Sequence, residues 1–397
     1  MNYEDWISYR YLVASKGRFL TFLNFVSIGG VALGVMALIV VTGIMTGFGN
    51  NLREKIIGTI PHIVLQKETG IRDHAAIRDS LSKIEGVESA APFIQGNVFL
   101  EDSGQAMGVM LRGVEPDIER NTTKIAQYLT KGRLGDLSGE TIIIGSELAR
   151  YYGYSLGDEI TLIAPGSGIS GKGWRYQLKV AGVFHTGMVD YDTNLVIVPL
   201  PMAQVILDMQ EDTVSGIGLR IRHPERAADI KQKVYAQVGY SFLVKTWIDV
   251  NRNLFEALFL EKWGLFLILT FMVIVAAFNI ISTLIVTVTS KIHDIGILKS
   301  FGVPRNAIRR IFTKQGIYIG VIGTFWGLVG GFAVSYILKT YVQVPAQIYS
   351  IDHVPVDLQL TDIVIIVTSA LVISYLATIY PAMMASRLEP VEALRYE

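Results

Sequence analysis

The sequence predicts a membrane protein with four transmembrane α-helices and a large α+β domain between the first and second. Three observations predict it. Four long runs carry no charged residue: Thr21–Leu52, Trp263–Ser290, Gln315–Leu338 and Ile363–Ser386. At about 1.5 Å of rise per residue, each can cross a hydrocarbon core of roughly 30 Å. Between the first two lies a long polar stretch of short β-branched and helical patterns, with no apolar run of that length. Finally, Lys291, Lys299, Arg305, Arg309, Arg310 and Lys314 crowd one loop, whereas Thr340–Thr361 has no Lys or Arg and carries Asp352 and Asp357. By the positive-inside rule the termini and the 291–314 loop are expected on the cytoplasmic side, and the polar stretch outside.

Composition excludes several function classes. Of 397 residues 51% are hydrophobic and only 18% charged, and the net charge is zero, so no basic face for nucleic acid is implied. The absence of cysteine removes disulfides, thiolate metal sites and a Cys nucleophile.

Residues 1–20 read as an interfacial helix, with Trp6, Tyr9 and Tyr11 beside Arg10, Lys16 and Arg18. The first span covers 21–48. Its apolar stretch exceeds the roughly 7–15 residues of a signal-peptide core, and no small-x-small cleavage site follows cleanly, so a retained anchor is expected. Gly30-Val-Ala-Leu-Gly34 and Gly43-Ile-Met-Thr-Gly47 would let another helix approach closely. The helical pattern continues past Phe48 as a stalk.

Region 49–261 alternates in character, with two subdomains expected. Strands are read at Ile60–Gln66, Asn97–Glu101, Met107–Gly113, Thr141–Ile144, Glu159–Ala164, Tyr176–Phe184, Leu195–Val198 and Ile217–Ile221. Helices are read at Asp73–Ile84, Glu147–Tyr152, Met202–Met209 and Glu225–Val238. The second span takes 262–290, the third 309–338 and the fourth 362–386. They are joined by a cytoplasmic helix (291–304) and an outer loop (339–361), and a tail (387–397) follows. In the third span Gly323, Gly327 and Gly331 fall four apart and form a small-residue groove for a neighbouring helix.

Gly166-Ser-Gly168-Ile-Ser-Gly171-Lys172-Gly173 imitates a phosphate-binding loop but lacks the hydroxyl after the lysine, and a strand rather than a helix follows it. A hairpin tip remains: either a plain turn or a projecting contact loop anchored by Lys172, Trp174 and Arg175. No H-E-x-x-H or G-x-S-x-G is present, and the six histidines are dispersed. Asp190 and Asp192 read as solvated turn residues. The uncharged spans argue against a proton relay. Lys291–Gly302 continues the second span as a short amphipathic helix that stops at Gly302-Val-Pro304, with Lys291 and Asp294 spaced to pair. It is either a solvated turn or a docking helix for a cytoplasmic partner.

The layout resembles the MacB/FtsX type of ABC-transporter permease. More narrowly, Gly34-Val-Met-Ala-Leu, Met45-Thr-Gly-Phe48, Ala277-Phe-Asn-Ile280 and Pro390-Val-Glu-Ala-Leu-Arg-Tyr-Glu397 resemble the LolC/LolE lipoprotein-releasing permeases. That resemblance implies a non-catalytic subunit with no cofactor of its own. Two permease chains, identical or of LolC and LolE type, would work with two copies of a LolD-like ATPase that uses ATP and Mg. A LolA-like periplasmic carrier would receive the lipoprotein. ATPase coupling would fall to Lys291, Asp294, Ile295, Ile297, Leu298, Lys299 and Gly302. A lipoprotein cavity would be lined by Ala37, Val41, Met45 and Phe48 of the first span with Leu258, Leu265 and Leu269 near the second. The first span would then also be a lever moving the outer domain. Carrier contact would fall to Pro165, Lys172, Trp174 and Arg175, although Val180-Ala-Gly-Val, Val214-Ser-Gly-Ile-Gly and Ile348-Tyr-Ser-Ile-Asp look more like LolE. The same layout leaves open a MacB-like exporter of another amphiphile, or an FtsX-like signalling protein acting on a periplasmic enzyme.

Overall fold

A computed structural model describes residues 3–13, 18–102, 104–164, 174–342 and 354–388. The chain forms two compact units, one built on Met1–Gly49, Leu258–Gln343 and His353–Glu397, the other on Asn50–Ala257.

The first unit is helical. It comprises α1 (Tyr3–Val13), most of α2 (Arg18–Thr59) and of α10 (Arg252–Ser290), then α11 (Ile292–Ser300), α12 (Arg305–Tyr341) and α13 (Leu360–Arg387). The four long helices are each long and apolar enough to cross a membrane. With 42 residues, α2 is about 63 Å long, twice the hydrocarbon thickness. Its last ten residues accordingly belong to the other unit.

Glycines decide how α12 packs. Added Cβ atoms at Gly323, Gly327 and Gly331 would lie 2.7, 2.6 and 3.0 Å from the Cβ atoms of Val31, Val35 and Ile39 on α2. On another face, Gly316 and Gly320 meet Thr378 and Ser374 of α13. The stripe read from sequence therefore seats α2, and a second stripe seats α13. On α2 itself, Gly43 and Gly47 pack against Val356, Leu358 and the Pro355 carbonyl.

Among the described residues the second unit carries ten strands: β1 (Ile63–Ile71), β2 (Val87–Asp102), β3 (Gln105–Val114), β4 (Leu129–Gly132), β5 (Thr141–Gly145), β6 (Glu159–Ile163), β7 (Arg175–Phe184), β8 (Leu195–Pro199), β9 (Val214–Ile221) and β10 (Leu243–Thr246). Six of them close into a ring. β2 pairs β3, β3 pairs β8, β8 pairs β5, β5 pairs β7, β7 pairs β6, and β6 returns to β2 through Phe99–Glu101. The edge of β2 that meets β6 continues, at Val87–Phe93, into an open wing, β9-β1-β10. α3 (His74–Leu81) and α8 (Ala227–Val238) pack on that wing and on each other. The sequence suggested two subdomains; here β2 belongs to both ring and wing, which makes it unusually long at 16 residues. Its middle, Ala90–Ile94, is buried on both faces, as is the Ile142–Ile144 run of β5.

Several local expectations shift. Strand β1 starts at Ile63, because α2 runs to Thr59 and Pro61 breaks the chain before it. Strands β4 and β10 were not read from sequence, being four-residue segments at the ends of the strand order with little apolar alternation. Asp190 and Asp192 are not in a turn but on α6 (Val189–Asn194), and Asp192 is fully buried.

Candidate functional site

The candidate site lies on the helical unit and begins with α11. A break at Lys291 separates it from α10, and a glycine stop ends it. Val303 N–H donates to Leu298 O at 3.1 Å and Gly302 N–H to Lys299 O at 3.0 Å, with Gly302 at φ +84°. This is a Schellman closure, which needs the left-handed residue that glycine supplies without strain. Pro304 then starts α12.

The closure sorts the predicted coupling residues into two groups. Ile295 is buried and packs with Val288, Ile308, Phe312, Ala382 and Ala385. Lys299 Nζ donates to Ser386 O at 2.8 Å and to Leu388 O, capping the end of α13. Lys291 and Asp294 form the expected pair at 3.0 Å, and the Lys291 ammonium also sits 5.2 Å from the centre of the Tyr11 ring. Leu298 is half-buried. These residues hold α11 in place. The outward face is His293, Ile297 and Phe301, with Phe301 84% exposed. Sequence reading missed Phe301; its signal was a large apolar residue beside the glycine stop, with no apolar repeat to bury it.

The predicted cavity residues Ala37, Val41, Met45 and Phe48 are half-buried on α2, and Leu258 and Leu265 are half-buried on α10. The side chain of Leu269 lies outside the described residues. The helices meet around an apolar crevice on an adjacent face. It is lined by Val31, Gly34 and Leu38 of α2, by Met272 and Ala276 of α10, and by Ile373 of α13, among others. At ≈ 40 Å³ it holds little more than one water's worth of space, and no acyl chain. Below it the helices are tied by polar contacts. Ser27 and Thr283 hydroxyls share a 2.5 Å hydrogen bond, Ser27 Oγ donates to Asn279 Oδ1 at 3.4 Å, and Asn279 Nδ2 lies 3.5 Å from Val26 O. The Asn279 amide occupies the space that a side chain at Gly30 would fill. Farther along α10, Phe259, Trp263, Phe266, Phe271 and Phe278 are all more than half exposed.

Of the proposed contact loop, Pro165 and Lys172 lie outside the described residues. Trp174 is 73% exposed. Arg175 is engaged within the unit: its guanidinium donates to both carboxylate oxygens of Glu101 at 2.7 and 3.0 Å and holds that carboxyl below its ordinary range.

Geometry argues against one chemical reading. Ser146, His185 and Asp192 cluster, but Ser146 Oγ (2.8 Å) and Asp192 Oδ2 (3.1 Å) both face the same ring nitrogen, His185 Nδ1. A nucleophilic relay needs the two different nitrogens. Among the described residues, no three His, Asp or Glu side chains are grouped to hold a metal ion.

Comparison with known proteins adds the following. Residues 24–236 match the MacB-like periplasmic core domain, and residues 266–390 the FtsX-like permease C-terminal domain. The chain is similar to the lipoprotein-releasing system transmembrane protein LolC of Neisseria meningitidis, with 34% identity over 99% of both chains. It is 31% identical to LolC of Xylella fastidiosa over 98% of both. With LolE of Haemophilus influenzae it shares 26% over 99% of both.

Proposed function

This chain belongs to the LolC/LolE family of ABC-transporter permeases, and on that premise we propose how it takes part in lipoprotein release. It is a multi-pass inner-membrane permease of a lipoprotein-releasing transporter. In this reading α11 and the termini face the cytoplasm and Asn50–Ala257 the periplasm, which the Lys/Arg excess of the 291–314 loop supports. Two copies of a LolD-like ATPase supply the energy from Mg-bound ATP, and each docks on the His293–Ile297–Phe301 face of an α11. A second permease chain, with its own α2 and α10, completes the cargo cavity. A LolA-like carrier accepts the released lipoprotein on the periplasmic side.

The observation that carries this reading is the exposed aromatic stretch of α10 from Trp263 to Phe278, which holds no charged residue. The crevice within one chain is too small for an acyl chain, whereas this stretch offers a long uncharged surface beside α2. Each CH₂ taken from the bilayer into water costs about 0.8 kcal/mol. Lifting several acyl chains therefore costs tens of kcal/mol unless an apolar surface receives them and ATP drives their exit.

The test is reconstitution of the chain with its ATPase and companion permease in liposomes holding a triacylated lipoprotein. ATP is expected to release the lipoprotein to a soluble carrier. Absence of release with a competent carrier present overturns the proposal.

A further inference from the structure

We propose that the N-terminal helix α1 is a positioning element for α11, with Tyr11 as the contact through which it sets the orientation of the docking face. This rests on the reading of α11 as the ATPase-docking helix.

As an interfacial anchor alone, α1 would turn its charges to water or headgroups. It does the opposite. Glu4 is buried at 6% exposure, between Arg310 at 3.0 Å and Lys314 at 3.2 Å, both on α12. Asp5 adds a second carboxylate to Lys314 at 2.6 Å. Ser8, fully buried, shares its single hydroxyl proton between the Glu4 carbonyl at 2.6 Å and the Ile311 carbonyl of α12 at 2.9 Å. A buried carboxylate is tolerated only when paired, and pairing in fixed geometry specifies one arrangement over its neighbours. These contacts fall one turn apart on α1 and clamp it against the start of α12.

The clamp places Tyr11 at the root of α11. Its ring lies 6.1 Å from that of Phe312 on α12. Against the same ring sits the Lys291 ammonium, 5.2 Å from its centre, with only 17% of that side chain exposed. Lys291 is the N-cap residue of α11 and holds Asp294 in its first turn. A line of contacts thus runs from α12 through Tyr11 to the first turn of α11. The far end of α11 is separately tied to α13 by Lys299. Removing the near tie leaves Ile295 and Lys299 to hold the middle and far end of α11, and releases its first turn. A partly desolvated cation over an aromatic face is strong enough to matter for that choice.

The experiment uses the full chain in complex with its ATPase in nanodiscs. Because the chain has no cysteine, Ile292→Cys and Val321→Cys can carry a pair of spin labels reporting the disposition of the first turn of α11 relative to α12. Tyr11→Leu is expected to broaden the interlabel distance distribution and to lower lipoprotein released per ATP hydrolysed by about threefold. Lys291→Met, which breaks the same contact from the α11 side, is expected to do the same. Tyr11→Phe keeps the ring and is expected to leave both readouts unchanged. A narrow, unshifted distribution in both Tyr11→Leu and Lys291→Met overturns the proposal. The spin-label readout needs no cargo, so failure of lipoprotein release in the unsubstituted complex counts against the functional reading and not against this one.

Discussion

Asp192 accepts hydrogen bonds from both the backbone N–H and the hydroxyl of Thr186, at 2.7 and 2.9 Å, while fully shielded from solvent. Its second oxygen accepts from Gly187 N–H at 3.0 Å. The carboxylate so shapes the loop between β7 and α6, and the loop's Gly187 carbonyl receives Lys55 Nζ at 2.7 Å from the end of α2. Asp192→Ala is expected to leave three donors unsatisfied and to cost about 3 kcal/mol. Hydrogen exchange at Thr186–Met188 should accelerate by orders of magnitude. Unchanged exchange there would show that the loop is held by something else.

The glycine stripe of α12 makes a discriminating pair. Gly327→Val places a Cβ 2.6 Å from that of Val35 and 2.8 Å from the Ala32 carbonyl, with no flexible atom to yield. The expected loss is about 1–3 kcal/mol, read as a lower melting temperature in detergent. Gly330→Ala meets only the flexible Met36 side chain at 3.1 Å, and is expected to be close to neutral. Equal effects of the two would mean that α2 does not pack on this stripe.

The two faces of α11 should separate by phenotype. Phe301→Asp alters a side chain that is 84% exposed, so the melting temperature should hold while co-purification of the ATPase falls at least tenfold. Ile295→Ala removes a fully packed side chain and is expected to cost about 2–4 kcal/mol of stability. If Phe301→Asp keeps full ATPase binding, the docking face has been placed on the wrong side of the helix.

A pH dependence follows from His62. Burial, the largest cause, pulls its pKa below the ordinary 6.5, and its Nδ1 lies 3.1 Å from both the N and the O of Ile221. The unfolded chain thus takes up this proton at a higher pH than the folded one. Its contribution to stability is full above about pH 6.5 and is lost as pH falls toward the lower folded value, with a slope of at most about 1.4 kcal/mol per pH unit. Denaturant unfolding of the β1–β9 region across that range should show the decline, and His62→Asn should flatten it. A decline of the same slope in His62→Asn assigns it to another group.

The four long apolar helices, the short helix α11 and its glycine stop were legible because each rests on a local pattern: uncharged length, or a glycine at a helix end. Most strands of the periplasmic-type unit were legible for the same reason, being apolar runs bounded by turns. Asp192 was not. A carboxylate between Tyr191 and Thr193 has the composition of a solvated turn, and only the loop folded around it makes it internal. Nor was the pairing of Arg175, expected in a plain turn or as an anchor of a contact loop: its partner Glu101 is far away in sequence and comes within reach through β6.

By itself, then, the sequence determined the number of helices able to cross a membrane, the place of the α+β region in the chain, and the family to which the protein belongs. All three depend on composition over tens of residues or on motif order. Tertiary structure alone decided that six strands close into a ring through β6, that Ile295 and Lys299 brace α11 while Phe301 faces outward, and that Tyr11 reaches Lys291. Those choices depend on contacts between residues up to hundreds of positions apart, and packing sets them. The first stretch, Met1–Arg53, illustrates both. Its apolar length marks a span, but only the pairing of Glu4 with Arg310 and Lys314 shows that its leading helix is braced against the core of the same unit.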